Sequence, residues 1–142
     1  MQIEGIVAKN GEIHIPAFLI AQELGIAYKM TLLLDTGAAS TIISEGDASA
    51  MGLDYSQLEK GNPALGIGGT AEVYILRNAS LSFIFGDWLI VKTMDRLEIM
   101  KHDVEDPIIS KALKSLPSLL GRDVLGTKFT ISSDGKKVTI DL

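Results

Sequence analysis

Val138, Ile140 and Leu142 alternate with Lys137, Thr139 and Asp141, and a Ser133-Asp134-Gly135-Lys136 segment joins this run to another, Phe129 to Ser132. A period of two puts successive side chains on opposite faces of an extended chain, so one face is apolar and the other wet. Asp134-Gly135 supplies the turn, which makes the pair a β-hairpin. Alternation shows again in Glu12-Ile13-His14-Ile15, and further strand candidates are Ile3 to Ala8, Ile13 to Ala21, Tyr28 to Leu34, Thr70 to Leu76, Leu81 to Phe85 and Trp88 to Met94, with turns at Asn10-Gly11 and Gly86-Asp87. So many short strands at this spacing predict an all-β, mainly antiparallel barrel or sandwich.

Two short helices are expected to interrupt it. Ser44 can cap one that runs through Asp47, Ala48 and Met51 to Gly52. In the other, Asp106 is the N-cap and Pro107 the first helical residue, while Ile108, Ile109, Ala112, Leu113 and Leu116 share a face predicted to pack on the barrel. At 142 residues the chain is sized for a single domain over 1–142, and 46% hydrophobic residues are enough to bury a core. A net charge of −5 offers no general attraction for nucleic acid or anionic lipid, and the absence of cysteine excludes disulfides, thiolate nucleophiles and cysteine-bound metals. The first residues lack a signal-peptide pattern and no apolar run is long enough to span a bilayer, so a soluble, cytoplasmic protein is expected.

Chemistry concentrates in Leu32-Leu33-Leu34-Asp35-Thr36-Gly37-Ala38-Ala39-Ser40-Thr41-Ile42-Ile43. Here a lone carboxylate sits between an apolar strand and a turn of small residues that leads into a second apolar run. Asp35 is therefore expected to be partly buried, which costs free energy unless hydrogen bonds or chemistry retain it. Gly37 opens backbone angles closed to other residues, and the Thr36 hydroxyl can lock the loop. An ordinary turn has the same composition, and Asp-Thr-Gly arises by chance in roughly 2 to 3% of chains this long, so the triplet alone decides nothing.

Two later features stand in order: Gly66-Ile67-Gly68-Gly69, and Leu119-Leu120-Gly121-Arg122-Asp123-Val124-Leu125. With Leu34-Asp35-Thr36-Gly37-Ala38, they make the chain resemble the retropepsin-like aspartic proteases over roughly its whole length. Ala39 stands where retroviral members carry an acid that pairs with the later Arg, so the likeness is closer to cellular and microbial members. The resemblance implies a closed, acid-protease-like β barrel with one or two short helices, assembled as a two-fold homodimer. It also implies Asp35 as the catalytic carboxylate, Thr36, Gly37 and Ala38 as its loop, and Gly66, Ile67, Gly68 and Gly69 as a flap over a polypeptide substrate. Leu119, Leu120 and Gly121 would support the catalytic loop, with Arg122 and Asp123 structural.

That chemistry uses two carboxylates sharing a proton, and only one Asp-Thr-Gly is present, so the second must come from another copy of the chain. Neither cofactor nor metal is implied. A noncatalytic peptide-binding or dimerisation module on the same scaffold, and a small-ligand barrel, remain open as alternatives. His14 reads as a solvent-facing strand residue, and His102 with Asp103, Glu105 and Asp106 as a solvated loop. Trp88, Phe83 and Phe85 read as core or interface residues.

Overall fold

The computed structural model describes residues 1–66 and 69–142. Thirteen strands lie among them. The first half of the chain contributes β1 (Gln2–Val7), β2 (Ile13–Ala21), β3 (Ile26–Leu34), β4 (Ile42–Ile43) and helix α1 (Glu45–Ala50), then β5 (Glu59–Lys60) and β6 (Ala64–Gly66). The second contributes β7 (Gly69–Leu76), β8 (Ala79–Phe85), β9 (Trp88–Met94), β10 (Leu97–Lys101), α2 (Pro107–Lys114), β11 (Ser118–Leu120), α3 (Arg122–Leu125), β12 (Thr130–Ser133) and β13 (Lys137–Asp141).

The mainly β architecture agrees with the alternation, but the expected closure does not. Hydrogen-bonded neighbours run β12-β13-β1-β2-β3-β11-β4-β10-β7-β5 as an open path, with β8 and β9 branching off β2. The cause is that one edge of β2 is divided: His14 and Ile13 pair with β1, whereas Ala17 to Ile20 pair with β8. Pro16, with no N–H to give a ladder, falls between the two. The sheet therefore forks rather than curling back on itself. Among the described residues there are three α-helices instead of one or two; the unexpected one is α3, only four residues long.

Along β2 the residues Ile15, Ala17, Leu19 and Ala21 all face inward, and Ile3, Leu32, Ile43, Leu81, Phe83, Ile99, Leu120 and Ile140 complete the core. Each large aliphatic side chain so buried contributes about 1.5–3 kcal/mol. Ser44 caps α1 by accepting the Asp47 amide, and Asp106 caps α2 by accepting the amides of Ile108 and Ile109. The apolar face of α2 is not seated on the sheet: Leu113 alone is buried, and Ile108 is 82% exposed. The helix rests instead on α1, where a Cβ on Gly46 would lie on the Lys114 carbonyl oxygen. Of the aromatic residues expected in core or interface, Phe83 is core, whereas Trp88 is not, being 74% exposed at the start of β9. No helix among the described residues is long and apolar enough to cross a membrane.

Against β7 and β10, the Tyr55 hydroxyl donates to the Met100 carbonyl at 2.9 Å, and its ring meets that of Tyr74 edge-on. Burial first, then the charge of Glu45 and the neighbouring Tyr74, pushes the Tyr55 phenol from 10.0 up to about 12. A raised pKa means that the fold favours the neutral phenol, a contribution complete below pH 10 and lost as pH rises through about 12. Denaturation midpoints followed from about pH 9 to 12 should therefore fall more steeply for the wild type than for Tyr55→Phe. Parallel curves would remove Tyr55 as the cause.

Candidate active site

Strand β3 delivers Asp35 to the edge of the core. Leu32 is fully buried, and the chain leaves the sheet after Leu34, where β11 runs parallel to β3 with Leu120 beside Leu34. The Asp35 amide donates to the Leu120 carbonyl at 3.1 Å, so the backbone bearing the carboxylate is bonded to the neighbouring strand. The Ala38 amide donates back to the Asp35 carbonyl at 3.2 Å and closes a turn. Within it the Gly37 amide donates to Asp35 Oδ1 at 2.9 Å. A Cβ on Gly37 would sit 3.2 Å from that oxygen, so a side chain here would crowd the carboxylate. Asp35 is half-buried, with Oδ2 lacking a protein donor among the described residues. One oxygen is thus tied and the other is free to bond outward.

The loop after Asp35 is gripped by residues some 80 positions later. Arg122 N donates to the Ala38 carbonyl at 2.9 Å and Asp123 N to the Ala39 carbonyl at 3.2 Å. The Arg122 guanidinium donates through Nη1 to the carbonyls of Thr36 and Gly37 at 3.0 and 3.1 Å. With Ala39 in place of an acid, this arginine holds the loop through main-chain oxygens. Asp123 Oδ1 accepts from both the amide and the hydroxyl of Thr41, at 2.9 and 2.7 Å, and Thr41 Oγ1 in turn accepts the Gly121 amide at 3.0 Å. Thr41 is fully buried, so this network satisfies polar groups that would otherwise be orphaned. Gly121 is extended, at φ −102°, and a Cβ on it would lie 2.5 Å from the carbonyl carbon and oxygen of Ser40.

The Asp123 and Thr41 pairing was missed from the sequence. Its signal was a threonine leading directly into Ile42 and Ile43, a polar side chain headed into the core and in need of a partner.

Beside Asp35 opens a groove of about 440 Å³, bordered by Ile13, Leu33, Leu34, Thr36 and Ile131 among others. The glycine-rich segment lies in a separate hairpin, where β6 and β7 pair from Ala64 with Ala71 up to Gly66 with Gly69. Ile67 and Gly68 lie outside the described residues. His102, expected in a solvated loop, is only 14% exposed, with Nδ1 3.5 Å from Glu45 Oε2. No group of three or more His, Asp or Glu among the described residues is placed to hold a metal ion. His14 meets Glu12 rather than any ligand cluster.

A family model described as aspartyl protease matches residues 24–124, a span that holds Asp35, both strands of the glycine-rich hairpin and most of α3. No curated protein sequence matches the chain at a significant level. Among solved structures, a retropepsin-like aspartic protease from Rickettsia conorii is similar, with a TM-score of 0.57 and 18% identity over 99% of this chain and 90% of the other. At that identity the likeness is one of fold. The EIAV protease, solved with the inhibitor HBY-793, aligns over 79% of this chain and 83% of its own at 16% identity and a TM-score of 0.47.

Proposed function

Given that the chain belongs to the aspartyl protease family, we propose that it is an endopeptidase in which two Asp35 carboxylates, one from each subunit of a homodimer, activate the attacking water. The observation that carries this reading is the state of Asp35: one oxygen tied to the Gly37 amide, the other unengaged, on a loop fixed from behind by Leu120, Arg122 and Asp123. A single carboxylate so held lacks the acid that must accompany the base. A second copy related by a two-fold axis supplies it, because such an axis brings identical residues together.

Two adjacent carboxylates cannot both ionise cheaply, so they share a proton. The ionised one takes a proton from water as the oxygen attacks the peptide carbonyl, and the protonated one donates to the developing oxyanion. Collapse of the tetrahedral intermediate releases the amine, and no covalent enzyme intermediate forms. Ala38 is the backbone contact to an extended substrate, which strand-like hydrogen bonds hold. Gly66, Ile67, Gly68 and Gly69 act as a flap over the site, and the glycines of such a segment let the backbone approach the peptide. Leu119, Leu120 and Gly121 form the floor of the loop.

Sharing of the site can be tested by mixing. Wild-type and Asp35→Ala chains unfolded together and refolded in equal amounts leave about one quarter of dimers with two carboxylates, by random pairing. Activity should follow the square of the wild-type fraction, falling to about one quarter at equal mixing. Separate subunits, each with a complete site, would give a straight line and retain about half, which would end the shared-dyad reading.

A further inference from the structure

The groove beside Asp35 has a feature that the hydrolytic chemistry does not use. Its walls are aliphatic, from Ile13, Leu33, Leu34 and Ile131, yet Glu12 also lines it. That carboxylate is tethered on both oxygens: Asn10 Nδ2 donates to Oε1 at 2.6 Å, and His14 Nε2 lies 3.1 Å from Oε2. The Glu12 amide returns a bond to Asn10 Oδ1 at 3.1 Å, so the turn before β2 holds the residue at both ends. Carboxylate oxygens accept about four hydrogen bonds between them, and only two places are taken. These partners orient the group and leave its remaining acceptor positions open. No Lys or Arg is among the described residues that line the groove, and the second carboxylate on it is Asp35 itself.

A cavity with aliphatic sides and a fixed negative charge suits one kind of side chain: a long apolar stem with a cationic end. We propose that Glu12 is a specificity-determining residue that selects polypeptides with Lys or Arg beside the scissile bond. The proposal rests on Asp35 as the catalytic carboxylate, since that is what puts this groove next to the reacting bond. An exposed ion pair is worth up to about 1 kcal/mol, so the selection should amount to about fivefold.

The test is cleavage-site profiling by mass spectrometry on a peptide library generated by cutting at acidic residues, which leaves Lys and Arg internal. Wild-type enzyme should enrich Lys and Arg about fivefold at a position flanking the cut. Glu12→Gln should lose that enrichment, and Glu12→Lys should turn it toward Glu and Asp. Equal profiles for wild type and Glu12→Gln would overturn the proposal, and so would a variant that weakens the dimer with its profile unchanged, which would make Glu12 an interface residue. If the wild type cuts nothing, the reading of Asp35 fails instead. The groove is then judged by fluorescence anisotropy, with Asp35→Asn binding labelled peptides that differ only in Lys or norleucine. A preference for Lys that Glu12→Gln abolishes upholds the assignment, and equal binding overturns it.

Discussion

Asp35→Asn is expected to cut peptide hydrolysis by at least about 10³-fold while leaving the fold in place. Nothing that anchors the residue depends on its charge. Its amide bonds to the Leu120 carbonyl and its carbonyl accepts from Ala38, and an asparagine Oδ1 can still accept the Gly37 amide. What the amide side chain cannot do is take a proton from water or share one with a second carboxylate. The measurement is turnover of an unfolded protein substrate, beside circular dichroism and sedimentation to establish that the variant is folded and assembled. Wild-type turnover by a folded Asp35→Asn would remove Asp35 from the mechanism. In the active enzyme, rate against pH should be bell-shaped, with two apparent pKa values that belong to the pair rather than to either residue.

Gly121→Ala is expected to cost about 2 to 3 kcal/mol of stability and most of the activity, a large penalty for one methyl group. The backbone angles at Gly121 are open to any residue, so the penalty comes from space alone: the new carbon would meet the Ser40 carbonyl at 2.5 Å and the Thr41 amide nitrogen at 2.9 Å. Those atoms are backbone and cannot rotate away. Relief requires moving the loop that carries Asp35, or moving β11 from beneath it. Chemical denaturation and turnover should therefore fall together. An alanine variant with an unchanged midpoint would mean that the crossing is looser than its geometry implies.

The parts of the fold that the sequence made legible were those written in local patterns. Strands β2 and β9 were legible from end to end, because each is a run of seven to nine mostly apolar residues that opens just after a turn signal, Asn10-Gly11 or Gly86-Asp87. The caps Ser44 and Asp106 stood out as short polar residues ahead of helical turns. What stayed hidden was non-local or short. Closure of the sheet depends on which strand takes the second edge of β2, a choice made by pairing partners far away in sequence. In Leu97–Lys101 the alternation spans only five residues between charged neighbours, and α3 is too short to show a helical period. For α2 the pattern identified the helix but not what its apolar face would meet. At the site, the half-buried place of Asp35 followed from Leu32 to Leu34. The grip of Arg122 on main-chain oxygens could not be read, because carbonyls leave no trace in a sequence.

The grip on the loop that carries Asp35 also sets an order of events during synthesis. Thr41 and Asp123 are 82 residues apart, so a ribosome adding about 5 to 20 residues per second needs about 4 to 16 s to make the second after the first. Through that interval Asp35 has already been made, but the Leu120 carbonyl, the Arg122 guanidinium and the Gly121 crossing do not yet exist. Folding must then bring together the ends of a long loop, a slow step for a chain dominated by distant pairings. A nascent chain is thus expected to be unable to attack itself or its neighbours until Leu120 to Asp123 have emerged and docked. A chain ended after Pro117 should show no turnover at any concentration.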